Sequence, residues 1–230
     1  MHANIKVIAF DADDTLWANE GYFQEVEQTY YDLMAPYASQ AELSRSLHET
    51  ILQNLPLYGY GTKGFILSLT EAALVASGEN LPGTLLRKIL ELGKRQIDQP
   101  VELLDGVEEV LSALRPRYRL VLATKGDLLD QERKLRKSGL MPYFHHIEIM
   151  SEKDEGNYTK LIKHLDINAS ELLMIGNSLK SDVLPVLKIG GYAIHVPYHI
   201  TWAHEMIDHD IDDDRMAVVA NLRDVLKVVS

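Results

Sequence analysis

The sequence of 230 residues contains no cysteine. Disulfide bonds, catalytic thiols and zinc–thiolate clusters are therefore excluded. Basic side chains are outnumbered, because 23 lysines and arginines stand against 34 aspartates and glutamates and give a formal net charge of −11. This excess of negative charge disfavours nucleic-acid backbones and anionic membranes as partners. We therefore expect neither a nucleic acid nor a membrane among the partners of this protein.

Long apolar runs are also missing from the sequence. No stretch approaches the ~20 apolar residues that a helix needs to span a bilayer. No signal-peptide pattern precedes the first predicted strand, and we expect a cytoplasmic protein. Apolar residues still make up 46% of the chain, which is enough to build the core of one large domain or two small ones.

The most informative stretch lies near the start of the chain. Residues 5–10 form a short apolar run of the kind that makes a buried parallel strand, and residues 11–16 read Asp-Ala-Asp-Asp-Thr-Leu. Three carboxylates at the end of a buried strand repel one another and are costly to desolvate, which a cation such as Mg²⁺ would offset. A solvated acidic turn that caps a helix is the alternative interpretation. The position favours chemistry, because α/β proteins place their sites at the carboxyl ends of strands.

Residues 17–98 read as helical, with apolar residues at helical spacing in four segments and no strong strand signal. Three glycines and two tyrosines interrupt this pattern at residues 58–64, which also contain Lys63. Glycine-rich turns let the backbone approach a ligand closely, so this stretch could face an anionic substrate. An ordinary loop between two helices explains it equally well.

From residue 99 onward, apolar strands alternate with helices. We predict strands at residues 119–123, 147–150, 172–175 and within 190–197, helices at 106–114 and 128–138, and a final edge strand and helix at 217–220 and 221–229. Thr124 and Lys125 follow the second predicted strand, and a glycine comes next. A hydroxyl with neighbouring backbone amides at a strand end suits phosphate binding, although Thr124 could also cap the next helix.

These polar segments, taken in order, resemble the motifs of the haloacid dehalogenase-like hydrolase superfamily. Residues 11–16 resemble its first motif, Asp-x-Asp-x-Thr, and Thr124 corresponds to the hydroxyl residue of the second. Lys153 is our choice for the lysine of the third motif. Residues 176–182, Gly-Asn-Ser-Leu-Lys-Ser-Asp, resemble the fourth motif, which is commonly Gly-Asp-x-x-x-x-Asp.

The sequence departs from the family pattern at two positions. Asp154 follows Lys153 where the family often has proline, and Lys160 and Lys163 are competing choices for the third motif. Asn177 stands where the fourth motif usually has an aspartate.

The resemblance implies an α/β fold: a Rossmann-like parallel sheet core with an inserted α-helical cap domain. The core domain would comprise residues 1–16 and 99–230, and the cap domain residues 17–98. In this family, such a cap folds over the catalytic turn, excludes water and selects the substrate.

The resemblance also implies roles for individual residues. Asp11 would be the nucleophile and Asp13 the general acid/base, while Thr124 and Lys153 would hold the transferring phosphoryl group. Lys125, beside Thr124, is a further candidate for substrate binding. The Mg²⁺ cofactor would be held by Asp11, by the backbone carbonyl of Asp13, and by Asn177 or Asp182.

The function implied is Mg²⁺-dependent hydrolysis of a small-molecule phosphate ester, by a protein that is a monomer or a homodimer. Asp13 disfavours dehalogenation, because the superfamily's dehalogenases lack the second acid of the first motif. A phosphomutase of the same superfamily is one alternative. A catalytically weak or idle binding module, which Asn177 would favour, is another. A signalling receiver domain fits poorly, since it carries no inserted helical bundle.

Overall fold

The structure is a computed structural model, and it describes residues 4–229. Its centre is a six-stranded sheet in which every strand pair is parallel and the strand order is β3-β2-β1-β4-β5-β6. The strands are β1 Val7–Phe10, β2 Arg119–Lys125, β3 His146–Met150, β4 Leu172–Gly176, β5 Tyr192–His195 and β6 Met216–Val218. The order reverses between β1 and β4, and a crevice for ligands forms at such a point outside the carboxyl ends of the strands. The predicted α/β fold is confirmed.

Both faces of the sheet are covered by apolar side chains. In β1, Ile8 and Phe10 belong to one layer, whereas Val7 and Ala9 belong to the other. The helices that follow the strands are α5 Val107–Leu114, α6 Leu128–Ser138, α7 Glu155–His164, α8 Leu184–Lys188 and α9 Val225–Val229. Since a parallel strand buried on both faces is apolar throughout, the run at residues 5–10 was recognisable from sequence.

The residues group into two compact units, which we call the core unit and the helical unit. The core unit comprises residues up to 20, 101–125 and those from 131 onward, and the helical unit comprises 21–100 and 126–130. Residues 126–130 were assigned to the core domain from sequence. In the helical unit, the Thr62 hydroxyl donates to Asp130 at 3.1 Å and the Lys63 ammonium pairs with Asp127 at 2.9 Å.

The helical unit has an apolar core of its own. Its helices are α1 Glu20–Met34, α2 Gln40–Tyr58, α3 Thr62–Ala76 and α4 Gly83–Asp98, of which α1 begins one residue before the unit. Ser39 and Glu42 form a capping box at the start of α2, which explains why this helix begins there. Helices α3 and α4 approach closely, because a Cβ on Gly93 would lie 2.3 Å from the Ile66 side chain.

Three local predictions need correction. The interruption at residues 58–64 is shorter than expected, because α2 extends through Tyr58 and α3 begins at Thr62. The predicted closing helix at 221–229 is a 3₁₀ turn, Leu222–Asp224, followed by the short α9. The predicted edge strand at 217–220 is β6, which begins one residue earlier and ends at Val218. Among residues 4–229, no helix combines the length and the apolar character needed to cross a membrane.

Candidate active site

A buried lysine lies between two buried aspartates at the carboxyl ends of the strands. Lys153 Nζ is 2.5 Å from Asp11 Oδ1 and 2.6 Å from Asp182 Oδ1. The three residues are only 5%, 6% and 1% exposed, respectively. Although burial disfavours the ammonium, the two carboxylates raise the pKa of Lys153 well above its usual value. Lys153 is therefore a fixed positive charge beside Asp11.

The three candidate lysines of the third motif lie in different surroundings. Lys153 precedes α7 and contacts Asp11, whereas Lys160 is exposed and donates to Asn157 at 3.0 Å. Lys163 is exposed in the last turn of α7. Of the three, Lys153 alone has an ion pair with Asp11 among the described residues.

Asp182 is positioned by the turn that carries it. It belongs to a π-helical turn, Leu179–Val183, and its Oδ2 accepts the backbone N–H of Ser178 at 3.0 Å while Oδ1 accepts from Lys153. The residue at the end of β4 must be small here, because a Cβ on Gly176 would lie 2.1 Å from Asp182 Oδ2. Both carboxylate oxygens of Asp182 are thus engaged, and the side chain orients Lys153.

Thr15 joins the end of β1 to the end of β4. Its Oγ1 lies 3.0 Å from Asp11 Oδ2 and 3.3 Å from Asn177 Oδ1, and it accepts the N–H of Asn177 at 3.0 Å. The carbonyl of Asn177 accepts a hydrogen bond from His195 Nε2 at 2.9 Å, which requires the proton on that nitrogen. The Asp11 carboxylate and the Asn177 amide oxygen therefore converge on one hydroxyl.

This arrangement fits a hard divalent cation such as Mg²⁺. Burial raises the pKa of Asp11, against the opposing effect of Lys153, and a bound cation would offset this cost of burying the carboxylate. Magnesium is bound through oxygen ligands, often one or two carboxylates completed by water and substrate phosphate. Asn177 Oδ1 and Asp11 Oδ2 both contact the Thr15 hydroxyl, and Asp182 and Asp11 both contact Lys153. The donors that could hold the ion are Asp11, the carbonyl of Asp13, and Asn177 or Asp182.

Asp13 lies in a different set of contacts. Its Oδ1 accepts from Trp17 Nε1 at 2.7 Å, and its Oδ2 accepts from Gln131 Nε2 at 2.8 Å. Lys134 Nζ lies 2.6 and 2.7 Å from the two oxygens, and it also donates to Asn19 at 3.1 Å. These four donor contacts hold the Asp13 carboxylate in one orientation.

Asp14 acts at the start of α1. Its backbone is left-handed, with φ 61°, and its Oδ1 accepts the N–H groups of Asn19 at 2.9 Å and Glu20 at 3.2 Å. These amides have no partner within the helix, so the carboxylate satisfies them. The helix-capping interpretation of the acidic turn applies to its third aspartate.

Thr124 and Lys125 are the last two residues of β2, whereas the predicted strand ended at residue 123. The two side chains differ in their surroundings. Thr124 is buried, with 1% exposure. Lys125 Nζ contacts Glu205 Oε1 at 2.6 Å and Ser181 Oγ at 3.0 Å, and Glu152 lies at 3.5 Å. A role for Lys125 in substrate binding stays a prediction, and its ammonium belongs to an ion-pair network.

Glu205 is the acidic partner in that network. Its Oε2 accepts from the hydroxyls of Ser178 and Ser181, each at 2.5 Å. Although burial favours the neutral acid, Lys125 and the two hydroxyls lower the pKa of Glu205 to about 2.

Sequence reasoning missed several residues of the site. Thr15 could have been found, because the threonine is part of the first motif. Lys134 and Gln131, which contact Asp13, belong to no recognised motif. Glu205 could not be paired with Lys125 from the sequence, because the two residues are 80 positions apart.

Comparison with known proteins identifies relatives that match most of the chain. The family model described as haloacid dehalogenase-like hydrolase matches residues 5–190. A crystal structure of a haloacid dehalogenase-like family hydrolase from Xanthomonas campestris has a TM-score of 0.90 and 35% identity. It covers 99% of this chain and 91% of that one. Human N-acylneuraminate-9-phosphatase is 25% identical over 201 residues, which are 82% of this chain and 80% of the relative.

A third relative is YfnB of Bacillus subtilis, a protein named as a HAD-hydrolase. It is 26% identical over 194 residues, which are 77% of this chain and 78% of the relative. A crystal structure of YfnB bound to magnesium superposes with a TM-score of 0.66, at 18% identity over 98% of this chain and 99% of that one. Solved dehalogenases share the same fold.

Proposed function

Because the chain belongs to the haloacid dehalogenase-like hydrolases, we propose that it hydrolyses a small-molecule phosphate monoester through an aspartyl-phosphate on Asp11. The contact of buried Asp11 with Lys153 carries this proposal. A carboxylate nucleophile approaches an anionic phosphoryl group only where positive charge is fixed beside both. We also propose that the protein is cytoplasmic, as expected from the sequence.

Two observations favour a phosphate ester over a haloacid as substrate. The human relative is named a phosphatase. The substrate in its name belongs to that relative and is not assigned to this chain. Asp13 is present, and an alkoxide leaving group needs a proton whereas a halide leaves without one. Dehalogenases of this fold therefore have no need for an acid at that position.

In the first proposed step, an Asp11 carboxylate oxygen attacks phosphorus and the ester P–O bond breaks. The bonding electrons go to the leaving oxygen, which takes a proton from Asp13. In the second step, Asp13 takes a proton from water as the water oxygen attacks phosphorus. The Asp11–phosphorus bond breaks, and Asp11 returns as a carboxylate with free phosphate as the product.

The other residues orient the reacting groups. Lys153 and Thr124 would hold the phosphoryl oxygens in line with the nucleophile. Asp182 orients Lys153, and Lys134 with Gln131 orients Asp13. Bound Mg²⁺, held by Asp11, the carbonyl of Asp13, and Asn177 or Asp182, would neutralise charge between the two anions. The magnesium-bound structure of YfnB supports this choice of ion.

A catalytically weak or idle binding module is the second candidate, and Asn177 is the observation that favours it. The amide supplies an oxygen but no charge, so a divalent cation meets one carboxylate fewer than in the usual fourth motif. Such a protein would bind a phosphate mimic without turning over any ester.

The test is phosphate release from a broad panel of phosphate esters with Mg²⁺, comparing the parent protein with Asp11→Asn. We expect release from at least one ester, lost by orders of magnitude in the variant because the amide is not a nucleophile. Asp212→Asn makes the same chemical change on an exposed loop and is the matched control. Absence of turnover across the panel, with retained binding of a phosphate mimic, would favour the idle protein. Transfer of the phosphoryl group without phosphate release would identify a phosphomutase.

A further inference from the structure

Two histidines and a glutamate cluster at the amino end of the sheet, away from the candidate active site. His146 and Glu148 lie on the edge strand β3, and His164 is the last residue of α7. His146 Nε2 is 2.9 Å from Glu148 Oε2, and the rings of His146 and His164 have centroids 4.7 Å apart. One ligand atom from each residue lies within 4.8 Å of the others.

The positions of the ligands are fixed by two packed elements. His146 and Glu148 are alternate residues of a strand, so their side chains share one face. Their backbones are held in register by β2, where Val121 pairs with His146 and Ala123 pairs with Glu148. Helix α7 is anchored by Tyr158 and Leu161 in the apolar layer below the sheet. The exposed His164 is the last residue of this helix and supplies the third ligand atom, within 4.8 Å of the other two.

The chemistry of the cluster differs from that of the candidate active site. Imidazole nitrogens suit zinc, copper, nickel and iron, whereas Mg²⁺ prefers oxygen ligands. Two histidines with one glutamate are a known ligand set for zinc, with a fourth position open to water. Tetrahedral zinc with bonds of ~2.0–2.2 Å separates its ligand atoms by roughly 3.4 Å, so a small inward movement closes the site.

The cluster is also separate in space from the reacting groups. His146 is the first residue of β3 and Met150 is the last, and Lys153 follows this carboxyl end. Four steps of ~3.3 Å put about 13 Å between the two ends of the strand. A metal at the amino end would therefore join β3 to the end of α7 without touching the phosphoryl site.

We propose that His146, Glu148 and His164 form a second metal site, which takes a divalent transition-metal ion of the zinc type. Bound metal links the edge strand to α7, the two elements that flank Lys153. Because the ion binds the folded chain, it stabilises the fold by mass action. This site is independent of the proposed phosphatase activity.

Zinc binding to the full-length protein, cleared of metal with a chelator, tests the proposal by titration calorimetry. We expect one equivalent to bind the parent protein, and affinity to fall roughly tenfold or more in His146→Asn and in His164→Asn, as loss of a metal-site partner does elsewhere. His145→Asn is the matched control, because His145 is exposed and adjacent in sequence. Equal zinc binding by the parent and the double variant His146→Asn/His164→Asn would overturn the proposal, as would an equal loss in His145→Asn.

Cobalt(II) gives a second readout that does not depend on enzyme activity. We expect visible absorption bands of imidazole-bound Co²⁺ in the parent protein, weakened in Glu148→Gln and His164→Asn, and unaffected by excess Mg²⁺. Zinc is also expected to raise the melting temperature of the parent protein but not of His164→Asn. Identical spectra in the parent and variants, or displacement by Mg²⁺, would contradict the proposed ligands.

Discussion

At the scale of single residues, the three aspartates after β1 have three different sets of partners. Asp11 contacts Lys153, Asp13 contacts Lys134, and Asp14 accepts backbone amides at the start of α1. One residue type thus supplies a candidate nucleophile, a candidate acid/base and a helix cap. The sequence predicted the first two roles through the family motif. It could not predict the partner of Asp13, because Lys134 lies 121 positions away.

Removal of the cation beside Asp13 tests its proposed role as a proton carrier. In Lys134→Met, the Asp13 carboxylate keeps Trp17 and Gln131 but loses the contacts that span both oxygens. We expect kcat to fall roughly tenfold to a hundredfold, with little change in KM. This loss is smaller than the roughly 10²–10⁴-fold that acid–base catalysis contributes, because Asp13 itself is still present. Steady-state kinetics on an ester hydrolysed by the parent protein would measure this.

The exposed Lys137, on the same helix, provides the control. Lys137→Met is expected to leave both constants unchanged. An unchanged kcat in Lys134→Met, or an increase in KM alone, would contradict a role for Lys134 in positioning Asp13.

Glu205 gives a prediction for stability as a function of pH. Its folded pKa of about 2 lies below the usual 4.5. Its stabilising effect is therefore complete above pH 4.5 and disappears as the pH falls toward 2. Glu205→Gln should lower the free energy of unfolding by about 1.5–3 kcal/mol near neutral pH, since it removes charged hydrogen bonds. This difference should shrink steadily in acid, as measured by denaturant unfolding at stepwise lower pH.

Glu152→Gln is the matched comparison, because Glu152 is a more exposed partner of the same Lys125, at 3.5 Å. We expect it to change the stability by no more than about 1 kcal/mol. An equal effect of both substitutions, or a Glu205→Gln effect that does not change with pH, would refute the account of this network.

At the scale of elements, apolar strands were predictable and local backbone geometry was not. The strands β1, β2 and β4 are buried on both faces and therefore read as continuous apolar runs. The π-helical turn Leu179–Val183 left no such signal, since the same residues could begin an ordinary helix. The sequence left Asn177 and Asp182 as alternative metal ligands, because an amide oxygen can bind Mg²⁺ but carries no charge, and the choice between them stays a prediction. In the structure, Asp182 contacts Lys153 and Ser178.

The last residue of β4, Gly176, packs directly against the Asp182 side chain of the candidate site. A methyl group at Gly176 would displace the Asp182 carboxylate, which lies 2.1 Å from the added Cβ. We expect Gly176→Ala to lower the free energy of unfolding by about 1–3 kcal/mol through overpacking. It should also strongly reduce kcat, because Lys153 would lose its second carboxylate. Denaturant unfolding and steady-state kinetics measure the two effects.

Gly83→Ala in α4 is the control, because nothing lies within 4 Å of its added Cβ. There the alanine should stabilise the protein by about 0.4–1 kcal/mol and leave kcat unchanged. Parent-like kinetics in Gly176→Ala would show that Asp182 does not position Lys153.

At the scale of the whole molecule, distant segments meet at one edge of the sheet. Asp11 and Lys153 are 142 positions apart, and Thr15 and Asn177 are 162 apart. The order of motifs in the sequence predicted that these segments belong together. The network around Lys125 and Glu205 was not predictable, because no motif or periodicity relates those positions.

Because the chain is negatively charged overall, an anionic substrate must be held by a few positively charged groups in the site. With a net charge of −11, the protein repels anions in general. The proposed binding of a phosphate ester then depends on a few fixed cations, of which Lys153 is buried against the proposed nucleophile. A divalent metal ion completes this local balance in the proposed reaction.

Mass spectrometry of acid-quenched protein, sampled during turnover of a phosphate ester with Mg²⁺, would detect the proposed aspartyl-phosphate on Asp11. We expect a phosphoryl group on the peptide that contains Asp11, and we expect it to be absent in Asp11→Asn and absent when Mg²⁺ is chelated. A phosphoryl group on any other residue would contradict the proposal, as would continued turnover without any adduct on Asp11.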